Sequence, residues 1–359
     1  MLGAGLRLPS ANAGQRSGHG GFLEAGNGTV RAAEAKQYEL PATPATVAWG
    51  HYDGSAAAVL TVRSGDTVVV HTLLTNSPKG LEAAGLPADK VEPALRAVFD
   101  GVPAPARGPG GHILTGPIAV EGAQPGDTLE IRILKVDLAI PYAYNAFGPT
   151  TGFLPDDFPY RRIKIVSLDR RRMTGALAPG VEVPLHPFFG SIGVAPPAAF
   201  ARYDSTAPAI HGGNMDNRML VAGTTLFLPV HASGALLEVG DGHAAQGNGE
   251  VDITALETSL IGTFQLMLHK KGEGAAVETI YPRAETPDAY VAMGFDEDLS
   301  NAARKALRNM IDFLVASKGM TRDDAYMLVS TAGDVEVTEL VDRNKGVHVV
   351  VPKRVFTAH

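Results

Sequence analysis

Between Thr46 and Pro287 the chain runs as short apolar stretches, each soon broken by Gly, Pro, Asp or Asn. The clearest are residues 59–74, 128–140, 162–169, 224–232 and 264–270, and several alternate polar and apolar side chains with period two. Such alternation places apolar side chains on one face of an extended strand, and the frequent β-branched residues favour that conformation. The pattern predicts a mainly β protein of sandwich or barrel-like form. Two Gly-Asp pairs, Gly65-Asp66 and Gly126-Asp127, each introduce a strand and resemble the turns of two hairpins.

Two segments depart from this pattern. Residues 80–98 space Leu81, Leu86, Val91, Leu95 and Val98 loosely as a helix does, around Pro87 and Pro93, and read as a helical insertion. Towards the end, Leu299, Ala302, Ala303, Ala306, Leu307, Met310, Ile311 and Leu314 recur at three- and four-residue spacing. A cap at Asp298 or Ser300 would start this helix, Gly319 would close it, and Thr321 with Asp324 would cap a second one ending before Gly333. The expected C-terminal helical hairpin carries Asp323 and Asp324 against Arg322 on its second helix. Packing on the sheet suits it better than reading nucleic acid. Residues 336–353 then return as one or two strands.

With 359 residues, 45% of them hydrophobic, the chain can bury a large core as one large or two ordinary domains. Residues 1–35, rich in Gly and Ala, read as a flexible N-terminal arm of a cytoplasmic protein. The LPSANA sequence ending at Ala13 resembles a signal-peptide cleavage site, but Met1 to Pro9 is too short for the basic and apolar regions that would precede one. Residues 36–359 read as the main folded domain, divisible into 36–170 and 171–359. A net charge of −7 without long runs gives no footprint for nucleic acid or an anionic membrane, and no stretch is apolar enough to span a bilayer. The absence of cysteine removes disulfides, thiolate metal sites and thiol nucleophiles.

Chemistry concentrates between His211 and Glu257, where six acids, three histidines and three asparagines sit among glycines. In Asp241-Gly242-His243 a carboxylate and an imidazole two residues apart project to one face of an extended segment, where they suit a divalent cation or a turn with a local hydrogen bond. Glu257 has apolar neighbours, Ala255 and Leu256, and a buried glutamate needs a partner, a metal or a shifted pKa; a salt bridge to arginine is the bland reading. Glu250 follows the same Gly-rich stretch. The loop His211-Gly212-Gly213-Asn214-Met215-Asp216 is either an Asn/Asp-rich turn or a substrate loop, in which Asn214 donates to a carbonyl oxygen and Asp216 binds metal or water. His112 stands at the lip of a strand. Gly-x-Ser-x-Gly, His-Glu-x-x-His, Walker A and dinucleotide motifs are missing.

Taken in order, HILTGPIAVEGAQPGDTLEIRIL, GFLPDDFP (152–159), PFFGSIGVAPP (187–197), HGGNMD, TTLFLPV, GALLEVGDGHAAQGNGE, the trailing ALE and MTRDDAYMLVSTAGDVEV resemble the acetamidase/formamidase family of amide hydrolases, from about Val47 to Pro352. The resemblance implies that family's β-rich fold, hydrolysis of a short carboxamide to acid and ammonia, and a homo-oligomer. It carries the family's site pattern onto His112, Asn214, Asp216, Asp241, His243, Glu250 and Glu257. Under that reading His112, Asp241 and His243 hold a divalent metal, zinc first, and Glu257 is the proton carrier, with Asp216 and Glu250 beside it. His211, Gly213 and Asn214 bind the small-molecule amide. Asn248 stands where the family often has Asp, and 72–110 lacks an Asp-rich sequence common in formamidases. A lactam or larger amide, and a non-catalytic sandwich binding a small ligand, are the alternatives.

Overall fold

The structure, a computed structural model, describes residues 34–274 and 277–357; the expected N-terminal arm lies outside them apart from its last two residues. Three sheets carry the architecture. A nine-stranded sheet runs in the order Gln37–Leu40, Thr67–His71, Leu260–His269, Thr128–Leu138, Thr225–Pro229, Arg283–Glu285, Ala289–Asp296, Lys345–Pro352, Asp334–Glu339. The second orders Gly212–Asn214, Phe188–Gly193, Leu237–His243, Ile113–Val120 and Val47–Trp49, with Leu60–Val62 also paired to Ile113–Val120. A four-stranded sheet from Tyr142–Phe147 to Val181–Pro184 is the third, beside a minor two-stranded pairing of His51–Tyr52 with Tyr203–Asp204.

Apolar residues of the first two sheets meet in one core: Val68, Ile131, Leu226 and Phe264 from the nine-stranded sheet, Ile118, Ile192 and Val239 from its partner. This is how two half-apolar sheets bury their faces. It makes a mainly β sandwich of open sheets, with no closed barrel. The two Gly-Asp turns correct the hairpin expectation. Leu60–Val62 and Thr67–His71 flank Gly65-Asp66 yet lie in different sheets, and so do Ile113–Val120 and Thr128–Leu138 around Gly126-Asp127. Both turns are corners that pass the chain across the sandwich. In each, the aspartate accepts from the backbone N–H three residues earlier, Arg63 for Asp66 and Gln124 for Asp127, both at 2.8 Å. A polar side chain that closes its own turn looks the same in sequence whether or not the flanking strands pair.

The helical insertion forms α1 (Pro78–Ala83) and α2 (Pro93–Gly101), whose Leu81, Leu95 and Val98 join Trp49, Ile113 and Tyr142 in a second core. Near the C-terminus α3 (Leu299–Lys318) starts at Asp298, whose side chain accepts from Asn301 N–H, and stops at Gly319 with φ +66°. Thr321 caps α4 (Arg322–Ala332) through Asp324 N–H. Ala302, Ala306, Met310 and Leu314 pack on Ala292, Val347 and Val349, so the hairpin covers the sheet.

At the entry to α2, Glu92 does not cap the helix; its Oε2 accepts from Ser259 Oγ at 2.5 Å. Burial pushes its pKa up from the ordinary carboxylate value to about 7. The native state therefore favours the protonated acid, and this contribution to stability is complete below the ordinary value and lost as pH rises through 7. Glu92→Gln is expected to gain about 1–3 kcal/mol over the native protein at pH 8, allowing for partial solvent access, and almost nothing at pH 4. Urea unfolding at both pH values checks this, and an equal difference at both would contradict it.

Candidate active site

The centre of the site is one imidazole. His243 ends the strand Leu237–His243, opposite Phe188, whose ring meets it edge-on at 5.0 Å. Its Nδ1 bonds to Gln246 Oε1 at 2.8 Å, while Gln246 Nε2 donates to the Asp216 carbonyl at 2.7 Å. Because the glutamine oxygen can only accept, it fixes the proton on Nδ1 and turns Nε2 towards the acids.

Around Nε2 stand Asp241 Oδ2 at 3.3 Å, Glu257 Oε1 at 3.4 Å, and Asp216 Oδ1 and Glu250 Oε1 at 4.0 Å each. All five residues are buried. The Asp-x-His spacing thus does bring its two side chains together, although Asp241 is not in regular strand geometry. Asp216, Asp241 and Glu250 have φ of +46°, +55° and +43°. Left-handed backbone at a non-glycine residue costs about 1–3 kcal/mol and persists only where its surroundings enforce it; three such acids surround this one imidazole. Gly190 supplies the room. A Cβ there would lie 2.5 Å from Asp216 Oδ1 and from Asp241 Oδ2.

Burial opposes the charge on His243, but Glu257 and Asp241 outweigh it and hold its pKa well above the usual value. Burial likewise lifts Glu257 to about 8, with His243 pulling the other way and Asp241 adding to the lift. Asp241 goes down: burial would raise it, but His112 and His243 together overcome that. Asp216 and Glu250 are pushed well up by burial, reinforced at Asp216 by the Glu250 charge. Environments that separate neighbouring carboxyl groups in this way are common where acid–base chemistry is carried out. At Glu257 the partner is His243 rather than an arginine, and its Oε1 also accepts from Ala255 N–H at 2.8 Å.

Other expected residues fall less simply. His112 lies beyond Asp241, its Nε2 3.8 Å from Asp241 Oδ2 and its Nδ1 3.1 Å from Ser205. Two sets of donor atoms close enough to share one cation occur among the described residues, Asp216–His243–Glu250 and Asp241–His243–Glu257, and His112 is in neither. Asn214 differs from the oxyanion donor expected of it: both its amide hydrogens are already engaged, with Asp216 Oδ2 at 2.8 Å and Asp342 Oδ2 at 2.7 Å, while its oxygen accepts from Ser191 Oγ. It positions acids. His211 is fully buried between the rings of Tyr52 and Tyr203, burial drops its pKa to about 3, and neither of its ring nitrogens has a hydrogen-bond partner. Gly213, at φ +85°, pairs with Ile192 and would bring a Cβ within 3.0 Å of His211 Nε2.

Asp342, Gln246, Ser191 and Gly190 escape sequence reasoning. Asp342 reaches Asn214 from 128 positions away, in a segment legible only as a returning strand. Glu339 holds it through the N–H groups of Val341 and Asp342.

The model of the Acetamidase/Formamidase family matches residues 108–206 and 202–358. An acetamidase of Mycolicibacterium smegmatis is 26% identical over 306 residues, spanning 62% of this chain and 73% of that protein. A formamidase of Methylophilus methylotrophus is 26% identical over 290 residues, 62% and 70% of the two chains. The crystal structure of an acetamidase from Bacillus halodurans superposes with a TM-score of 0.73 at 28% identity, covering 89% of this chain and 98% of that one. The matched segments contain every residue of the His243 cluster, and the chain belongs to the acetamidase/formamidase family.

Proposed function

We propose that the chain hydrolyses a short carboxamide to the carboxylic acid and ammonia at the His243 cluster. One observation carries this reading: Glu257, buried and raised to about 8, stands 3.4 Å from an imidazole that four carboxylates surround. A glutamate so tuned can take a proton near neutral pH and return it. In the reaction, water oxygen bonds to the amide carbon as Glu257 Oε1 accepts one water proton. The C–N bond then breaks as Glu257 passes that proton to the leaving nitrogen, giving ammonia and the acid. His243 gathers these carboxyl groups around its Nε2. Asn214 acts as a positioning residue that keeps Asp216 and Asp342 together.

A divalent cation belongs to the same reading, with zinc first. The residues fit one: Asp216 Oδ1 is buried without a hydrogen-bond partner, and the donors are oxygens and one imidazole nitrogen facing a space that Gly190 leaves open. Asp216, His243 and Glu250 would hold it, the imidazole then being neutral, which leaves Glu257 free to carry the proton; Asp241 and His112, expected as ligands with His243, stand beside them. When bound, such an ion polarises a carbonyl group and lowers the pKa of water. Chelation is expected to reduce ammonia release from acetamide at least about a hundredfold, with zinc restoring it. Undiminished release from protein shown to be metal-free by elemental counting would remove the ion from the reading.

A cytoplasmic homo-oligomer completes the proposal. Phe153, Leu154, Phe158 and Tyr160 stand exposed on one segment, a patch suited to a second copy of the chain. No helix among the described residues is long and apolar enough to cross a membrane.

A further inference from the structure

Beside the His243 cluster opens a cleft of about 830 Å³. Glu250 and Gln246 form part of its wall, and these are the residues 4.0 Å from His243 Nε2 and hydrogen-bonded to His243 Nδ1. Cleft and cluster therefore share a boundary. Most of the remaining lining is apolar: Leu177 and Val183 from the strands Thr174–Ala178 and Val181–Pro184, Met219 and Val221 from the loop after Asp216, and Leu256 next to Glu257. Arg218 and His186 are exposed at the rim.

The dimensions do not suit the smallest amides. Formamide and acetamide take up roughly the space of three waters, at about 30 Å³ each, whereas clefts of about 300–1,000 Å³ accommodate drug-sized ligands. Leu177, Val183 and Met219 are only partly covered by the core they border, so an apolar group lying on them would complete their burial.

We propose that the preferred substrate is a primary amide with an apolar acyl group of about five carbons or more, whose tail lies in this cleft while its carboxamide reaches the His243 cluster. The inference rests on the hydrolytic reading above and puts a larger amide in place of the short one as the preferred substrate. A compact lactam ring would leave most of the cleft empty. A tail that gains apolar contacts in the transition state raises kcat/KM, and one methylene is worth about tenfold or more in a close-fitting pocket.

The test compares ammonia release from acetamide, hexanamide and phenylacetamide by the full chain and by Val183→Trp, with Met219→Phe as a second variant should the first fail to fold. Hexanamide and phenylacetamide are expected to show kcat/KM at least about tenfold above acetamide. The variant that folds is expected to reduce the hexanamide-to-acetamide ratio at least about fivefold by filling the cleft. Acetamide cleaved as well as or better than the longer amides would overturn the inference and leave the hydrolytic reading standing. A ratio unmoved in a folded variant would overturn the assignment of the cleft. No ammonia from any of the three, with metal supplied, would remove the hydrolytic reading and this inference with it.

Discussion

His243→Ala is expected to lower kcat for acetamide by at least about three orders of magnitude and to destabilise the metal-free protein by about 3 kcal/mol. The two effects share a cause. The imidazole is the group from which Asp216, Asp241, Glu250 and Glu257 are all within 4.0 Å. Without it, Asp241 loses one of the two histidines that hold its pKa down, and buried carboxylates must stay charged without a partner or take up protons. The pKa lift that burial gives Asp216 and Glu250 is expected to spread to Asp241, so the loss of stability shrinks on acidification. Urea unfolding at pH 7 and pH 5, with kcat from ammonia release, measures both. A variant keeping more than about a tenth of the activity would place the chemistry elsewhere.

Glu257→Gln isolates proton transfer from architecture. Glutamine keeps the size of the side chain and an oxygen to accept from Ala255 N–H, so the fold should be retained. It cannot take a proton from water, and kcat is expected to fall by about two to four orders of magnitude with little change in KM. The pH profile gives a second readout. With Glu257 raised to about 8 and required in its ionised form, kcat/KM of the native enzyme should climb as pH rises towards 8, and the variant should lose that limb. A fall in kcat below about threefold would end the assignment.

Period-two alternation and β-branched runs make most of the strands legible, because each alternating segment has one face to bury. The same holds for α3, whose cap at Asp298 and stop at Gly319 are both local signals. Sheet partners are not local. Gly65-Asp66 and Gly126-Asp127 look like hairpin turns and are corners between sheets, since pairing is decided by strands far away in the chain. The site divides in the same manner. Asp241 and His243 are visible through their spacing, and Glu257 through its apolar neighbours. Asp342 and Gly190 become visible only when segments more than a hundred positions apart, or strands side by side, are placed in contact. Asn214 shows the limit at a single residue: its type is apt for binding an amide, but the acids on either side already occupy its hydrogens.

The most direct test of the central claim is the stoichiometry of ammonia and acetate formed from acetamide by the purified chain with zinc supplied, run beside Glu257→Gln at equal concentration. Equal amounts of both products from the native chain, and about a hundredth or less of that rate from the variant, is the expected result. Equal rates from the two proteins, or no ammonia from the native chain with acetamide or a longer amide, would contradict amide hydrolysis at the His243 cluster.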